Sequence, residues 1–369
     1  MSSPSQKKPS QFRSLIAVIA FVCLGVTVLL TVVYSRHDIW SPASDSVSSG
    51  NGSRMGAPFG PGGFDLSQAT IPTDEIYSGG PPKDGIPALT APKMIEANDA
   101  SYLSENDRVI GVTLGGDARA YPLKILNYHE VVNDSIGGQP LAITYCPLCD
   151  SAAVVDRRAG NEVREFGVSG LLYNSNVLMF DRNAKVESLW SQMMTEGVSG
   201  PAARQRLKTI PLDLTTWTEW RTRYPKTKVM SIDTGHDRDY QRSPYDSYFA
   251  NPQDLMFPVD KTDSRLPTKT PVLGVWTDDT ARAFPLSAFG KNDVTLEDEL
   301  NGRHVSLVYN AKAKSLRIER ADDGVQWVYS LWFAWYAFHP ETEVSVGRRS
   351  EGKSPRSHDF LRGSSEGPS

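Results

Sequence analysis

Val109–Leu123 reads VIGVTLGGDARAYPL, and Val272–Leu286 reads VLGVWTDDTARAFPL. A match of this length inside one chain is the signature of a repeated structural unit. The likeness continues in order along the chain. IGGQPLAITY (Ile136–Tyr145) answers to LNGRHVSLVY (Leu300–Tyr309), and WTEWRTRYPKTKV (Trp217–Val229) to WFAWYAFHPETEV (Trp332–Val344). VIGVTL and VLGVWT are β-branched runs that meet a turn at Gly115-Gly116 or Asp278-Asp279, and ARAYP and ARAFP return from it, a hairpin pattern. The Trp blocks space aromatics at i and i+3 and stop at a proline, which predicts a short helix. The expected fold is mainly β, of α+β class, with two related β-rich units (109–230 and 272–345), each closed by a short helix. Residues present in both units, such as Arg119 and Arg282 or Tyr145 and Tyr309, are expected to serve packing, because a site that acts once does not need them twice.

The two units differ in ways that bear on chemistry. Where the first has Cys146-Pro147-Leu148-Cys149, the second has Asn310-Ala311-Lys312-Ala313; where the first has Asn127-Tyr128-His129-Glu130, the second has Lys291-Asn292-Asp293-Val294. The first unit is also longer by about 49 residues, an insert near 165–211 that carries FGVSGLLYNSNVLMFDR and ESLWSQ. If one unit is scaffold and the other works, the working residues lie between Asn127 and Gln192.

The chain has 369 residues with a net charge of −4, so no basic surplus points to nucleic acid. Leu15–Tyr34 is twenty residues without a charge, which at about 1.5 Å per residue spans a bilayer core of roughly 30 Å. Lys7, Lys8 and Arg13 precede it. The excess of positive charge predicts a single-pass anchor with residues 1–14 in the cytoplasm and the globular part outside, periplasmic or extracellular. Residues 35–70 read as a flexible linker, 71–346 as the globular domain and 347–369 as a disordered tail.

NYHEVVND, TYCPLCDSA, FGVSGLLYNSNVLMFDR, ESLWSQ and LPTKTPVLGV together resemble a bacterial and archaeal family catalogued as domain of unknown function 3179, over most of Asp84 to about Val275. The resemblance implies an extracytoplasmic or membrane-anchored protein. It carries no established activity, so the chemistry rests on the side chains.

Three readings of the cysteine pair follow. In the first, Cys-Pro-x-Cys turns between two strands and aims both sulfurs at a transition metal, zinc or copper, with His129 as third ligand and Glu130, Asn174 or Asp181 completing the set. In the second, the pair is a thiol–disulfide centre. In the third, it is a structural disulfide on a cell-surface binding module, although so short a loop gains little from cross-linking. Glu130 is the candidate general base. Ser169, Tyr173, Asn174, Asn176, Asp181 and Gln192 are the candidate pocket for a small-molecule or protein partner. No phosphate-binding or dinucleotide fingerprint occurs, so no nucleotide cofactor is expected.

Overall fold

The computed structural model describes residues 61–347. The predicted anchor at 15–34 and the tail from residue 348 lie outside the described residues. Among the described residues no helix is long and apolar enough to cross a membrane.

The first quoted stretch forms the antiparallel strands Arg108–Leu114 and Asp117–Pro122. Gly115 and Gly116 both take positive φ, 60° and 88°, the geometry of a two-residue hairpin turn whose twist matches its strands. The second stretch forms Pro271–Trp276 and Ala281–Pro285 across a wider turn closed by Thr277 N–H donating to Thr280 O at 2.8 Å.

The helices also fall on the Trp blocks. Trp217–Arg223 opens on an N-cap, in which Thr216 Oγ1 accepts from the Glu219 N–H at 3.3 Å, satisfying an otherwise orphaned donor. Trp332–Phe338 has no such cap and is held by its buried face of Trp332, Phe333 and Trp335. In both places the second tryptophan lies flat on a glycine of the preceding hairpin. A Cβ at Gly111 would stand 2.2 Å from the Trp220 ring, and one at Gly274 would stand 2.2 Å from Trp335. Trp220 Nε1 donates to Thr227 Oγ1 at 2.9 Å, and Trp335 Nε1 to Thr342 Oγ1 at 3.0 Å. Gly111→Ala and Gly274→Ala are each expected to cost about 1–3 kcal/mol of stability, the range of core overpacking. Denaturant midpoints unchanged from the parent would mean that the rings can retreat.

The protein is mainly β. Its largest sheet has eight strands, in the order Leu89–Thr90, Val131–Ile136, Gln139–Cys146, Ser151–Asp156, Gln326–Leu331, Pro271–Trp276, Ala281–Pro285 and Glu343–Val344. Strands from both ends of the sequence thus share one sheet, joined where Ala152 meets Tyr329. Gln139–Cys146 and Ser151–Asp156 are buried along nearly their whole length. This places the turn between them, which carries the cysteines, inside the protein.

The insert forms its own five-stranded sheet, in the order Ile76–Ser78, Phe166–Tyr173, Asn176–Asp181, Leu189–Ser191 and Glu196–Gly197. Its central hairpin turns at Asn174-Ser175, both at positive φ (47° and 61°), a conformation that asparagine tolerates better than most residues. The ordered fold begins earlier than the expected boundary at residue 71. Phe64 is buried with Leu171, Leu178 and Phe180, its ring 5.7 Å from that of Phe180. One aromatic anchor in a glycine-rich run ties that run to the insert, and local composition does not reveal it.

Candidate functional site

Cys146 ends its strand, Pro147–Cys149 makes one turn of 3-10 helix, and Asp150 takes the left-handed conformation (φ 46°) before Ser151 re-enters the sheet opposite Cys146. Proline at the first position of the turn suits its fixed φ. Both cysteines are free and buried.

The two sulfurs sit in different surroundings. Cys149 Sγ lies 3.1 Å from Asn176 Nδ2 and 3.2 Å from Ser151 Oγ. Asn176 Nδ2 also donates to Gln192 Oε1 at 2.7 Å, and Gln192 Nε2 to Thr144 Oγ1 at 3.2 Å. Cys146 Sγ faces the carbonyl of Ser175 at 3.9 Å and has the Val177 backbone as a further hydrogen-bond partner. Burial pushes the Cys149 thiol up, but hydrogen bonds from Cys146, Ser151 and Asn176 outweigh it and leave the group below the ordinary thiol value. Burial holds Cys146 well above that value, and its hydrogen bond to Cys149 and the charges of Cys149 and Glu130 add to the effect.

Glu130 follows the helix Leu123–His129 at a strained positive φ of 57°. Its carboxyl is buried, and burial first, then the neighbouring Cys149 sulfur, pushes its pKa up to about 8. An acid that titrates near neutrality beside a thiol is suited to exchanging protons with it.

His129 does not join the sulfurs. Its Nδ1–H donates to Pro87 O at 2.7 Å, and its Nε2 accepts from Tyr240 O–H at 2.6 Å. Burial lowers its pKa to about 4, so the ring is neutral and both nitrogens are spent. Among the described residues no group of three or more His, Cys, Asp or Glu side chains stands where it could hold a metal ion, and Cys146, Cys149 and His129 form no such group. The predicted ligand set is thus not assembled: the helix that ends at His129 directs the ring toward the 87 and 240 segments, which supply complete partners for it.

The predicted pocket divides. Asn176 and Gln192 reach the cysteine turn. Asn174 sits at the hairpin tip beside it and accepts from Asp260 N–H at 2.7 Å. Ser169 instead caps a bulge in its own strand, accepting from Leu171 N–H at 3.0 Å. Asp181 accepts from Ser188 N–H at 2.6 Å and so closes a turn. Tyr173 packs edge-on against Phe338, with ring centroids 5.4 Å apart.

Three further participants were not singled out from the sequence. Ser151, two residues past Cys149, was within reach of a spacing argument. Thr144, beneath Gln192, also lies in the quoted strand. Tyr248, from the short helix Asp246–Ala250, donates its hydroxyl to Leu148 O at 2.7 Å and lies over the turn. Lys269 Nζ in turn holds the Tyr248 and Asn251 carbonyls, each at 2.6 Å. This strap comes from 100 residues downstream, and nothing local announces it.

A family model described as "Protein of unknown function (DUF3179)" matches residues 83–328. The chain belongs to this family. No curated protein and no solved structure matches the chain. The matched span contains the cysteine turn, Glu130, the Asn174-Ser175 hairpin and the Tyr248 strap. It stops short of the second Trp helix at Trp332–Phe338.

Proposed function

We propose that the protein is a membrane-anchored, extracytoplasmic protein whose cysteine pair is a thiol–disulfide redox centre. The observation that carries this reading is the unequal pair: Cys149 Sγ accepts from Asn176 Nδ2 at 3.1 Å and its S–H faces Ser151 Oγ at 3.2 Å, while no side-chain amide donates to Cys146. A low-pKa thiol beside a high-pKa one has an attacking member and a resolving member. The Cys149 thiolate attacks one sulfur of an incoming disulfide and forms a mixed disulfide, and the other half leaves as a thiolate. Glu130, in the ionised form that its raised pKa of about 8 makes available as pH approaches that value, then takes the Cys146 proton. Cys146 attacks Cys149 Sγ and expels the second thiolate. The pair ends as a disulfide, oxidised by two electrons, and the substrate as two thiols. Because both sulfurs are buried, exchange requires the Tyr248 strap to lift.

A metal centre would need donors beyond the two sulfurs, and His129 has spent both ring nitrogens. We also infer that the chain's two halves descend from one unit, one kept as scaffold. The paired Trp-on-glycine contacts support this, as do the matching salt bridges Arg119–Asp134 and Arg282–Asp298.

The test is equilibration of the protein in mixtures of reduced and oxidised dithiothreitol or glutathione, with loss of two hydrogens read by mass. One reversible two-electron transition is expected, at a potential in the range of exchange-active pairs, roughly −270 to −120 mV. It should vanish in Cys146→Ser and Cys149→Ser. A pair that stays reduced under excess oxidised glutathione refutes the reading. So does one equivalent of zinc or copper that is lost in Cys146→Ser.

A further inference from the structure

A cleft with a volume of about 720 Å³ opens where the first half meets the second, away from the sulfurs but touching their turn through Asp150. Its size is that of pockets for small organic ligands. Its charge is lopsided. Arg108, Lys291 and Lys314 line it, against the single carboxylate of Asp150. That carboxylate is occupied: Arg108 Nη1 donates to its two oxygens at 2.9 and 3.0 Å, and Tyr145 O–H donates to Oδ1 at 2.8 Å. Among the described residues Lys291 and Lys314 are exposed and form no ion pair. The remaining wall is apolar, with Leu214, Leu286 and the stacked rings of Phe289 and Tyr309, whose centroids are 4.8 Å apart.

We propose that this cleft binds a small organic anion. Its carboxylate or phosphate head is taken by Lys291, Lys314 and the outer face of Arg108, and its apolar body lies on Phe289 and Tyr309. Two uncompensated ammonium groups at the mouth of an apolar-walled cleft attract an anion and reject a cation, and the stacked ring pair offers a flat surface to a planar or aliphatic body. The lysines have no cationic counterpart in the first half: Lys291 stands opposite Asn127, and Lys314 opposite Asp150. The half without the thiols therefore contributes two of the three cations of this site. The proposal does not rest on the redox reading.

The experiment is calorimetric titration of the full chain with 3-phenylpropionate and with phenyl phosphate, and with the neutral 3-phenylpropan-1-ol as control. Saturable binding of at least one anion is expected, and its preference over the other distinguishes a carboxylate from a phosphate ligand. The alcohol should bind at least about tenfold more weakly. Lys291→Gln and Lys314→Gln, both surface changes, should each weaken the anion by roughly threefold to fivefold, and added salt should weaken it further. Cys149→Ser should bind as the parent does, so this proposal and the redox reading fail separately. Absence of saturable binding by both anions, an alcohol that binds as tightly, or lysine variants that bind unchanged would each overturn it.

Discussion

Asn176→Ala is expected to raise the pKa of the Cys149 thiol and so to lower the fraction of thiolate present near neutral pH. The Asn176 amide donates to Cys149 Sγ at 3.1 Å inside a buried site. A hydrogen bond to an ionised partner in such a place contributes about 1.5–3 kcal/mol to the charged form. Burial works against that form and pushes the thiol up; the hydrogen bonds are what bring it below its ordinary value. Removing one donor shifts that balance toward burial. The ultraviolet absorbance of the thiolate, followed against pH, reads the titration directly in the closed protein, where an alkylation rate would mix in the opening of the strap. Cys149→Ser should abolish the lower of the two thiol transitions, and Cys146→Ser should keep one. A lower transition that survives in Cys149→Ser assigns the acidic thiol to the wrong residue. A titration unmoved by Asn176→Ala means that other donors hold the charge. Asn176 Oδ1 also accepts from Met193 N–H at 3.2 Å, so circular dichroism of the variant must match the parent before its titration is read.

What the sequence yielded and what it withheld divide along a physical line. Hairpins at Val109–Pro122, helices at the two Trp blocks and a cysteine turn between strands are local: β-branched runs, glycine pairs and a terminating proline act within a few residues. Asn176 and Gln192 were legible because they belong to a segment that the internal sequence match leaves without a counterpart. The partners of His129 were not. They come from Pro87 and Tyr240, and no periodicity around Asn127–Glu130 encodes a carbonyl some forty residues upstream or a phenol more than a hundred residues on. A histidine and two cysteines missing from the same half suggested one centre, yet the short helix Leu123–His129 points the ring elsewhere. Glu130, its neighbour in sequence, takes a positive φ and a buried position where the Cys149 charge acts on its carboxyl. The joining of Ser151–Asp156 to Gln326–Leu331 in one sheet is likewise non-local, and it is what makes the cysteine turn an interior feature instead of a surface knuckle.

Glu130→Gln is expected to stabilise the protein increasingly as pH rises, by roughly 4 kcal/mol in all between about pH 4.5 and about pH 8. The sign follows from where the proton sits. Burial, and then the Cys149 sulfur, raise the folded carboxyl to about 8 from an ordinary 4.5. Across that window the folded state keeps the proton while the unfolded state gives it up. The folded state thus binds more protons, and stability falls as pH climbs, by about 1.4 kcal/mol per unit for this one group. Glutamine keeps the shape and has no proton to lose. His129, lowered to about 4, and His339, lowered to about 3, both by burial, contribute the opposite slope: their stabilisation is complete above about pH 6.5 and is lost as acid charges the unfolded imidazoles. They are common to parent and variant and cancel in the difference. Denaturant midpoints of both proteins at about pH 5, 6.5 and 8 therefore isolate Glu130. A difference that does not grow with pH would place the carboxyl in water. Oxidising the cysteine pair removes the sulfur charge that helps to raise Glu130, so the difference should shrink in the disulfide form. An equal difference in both redox forms would separate Glu130 from the thiols and remove it from the proton transfer assigned to it.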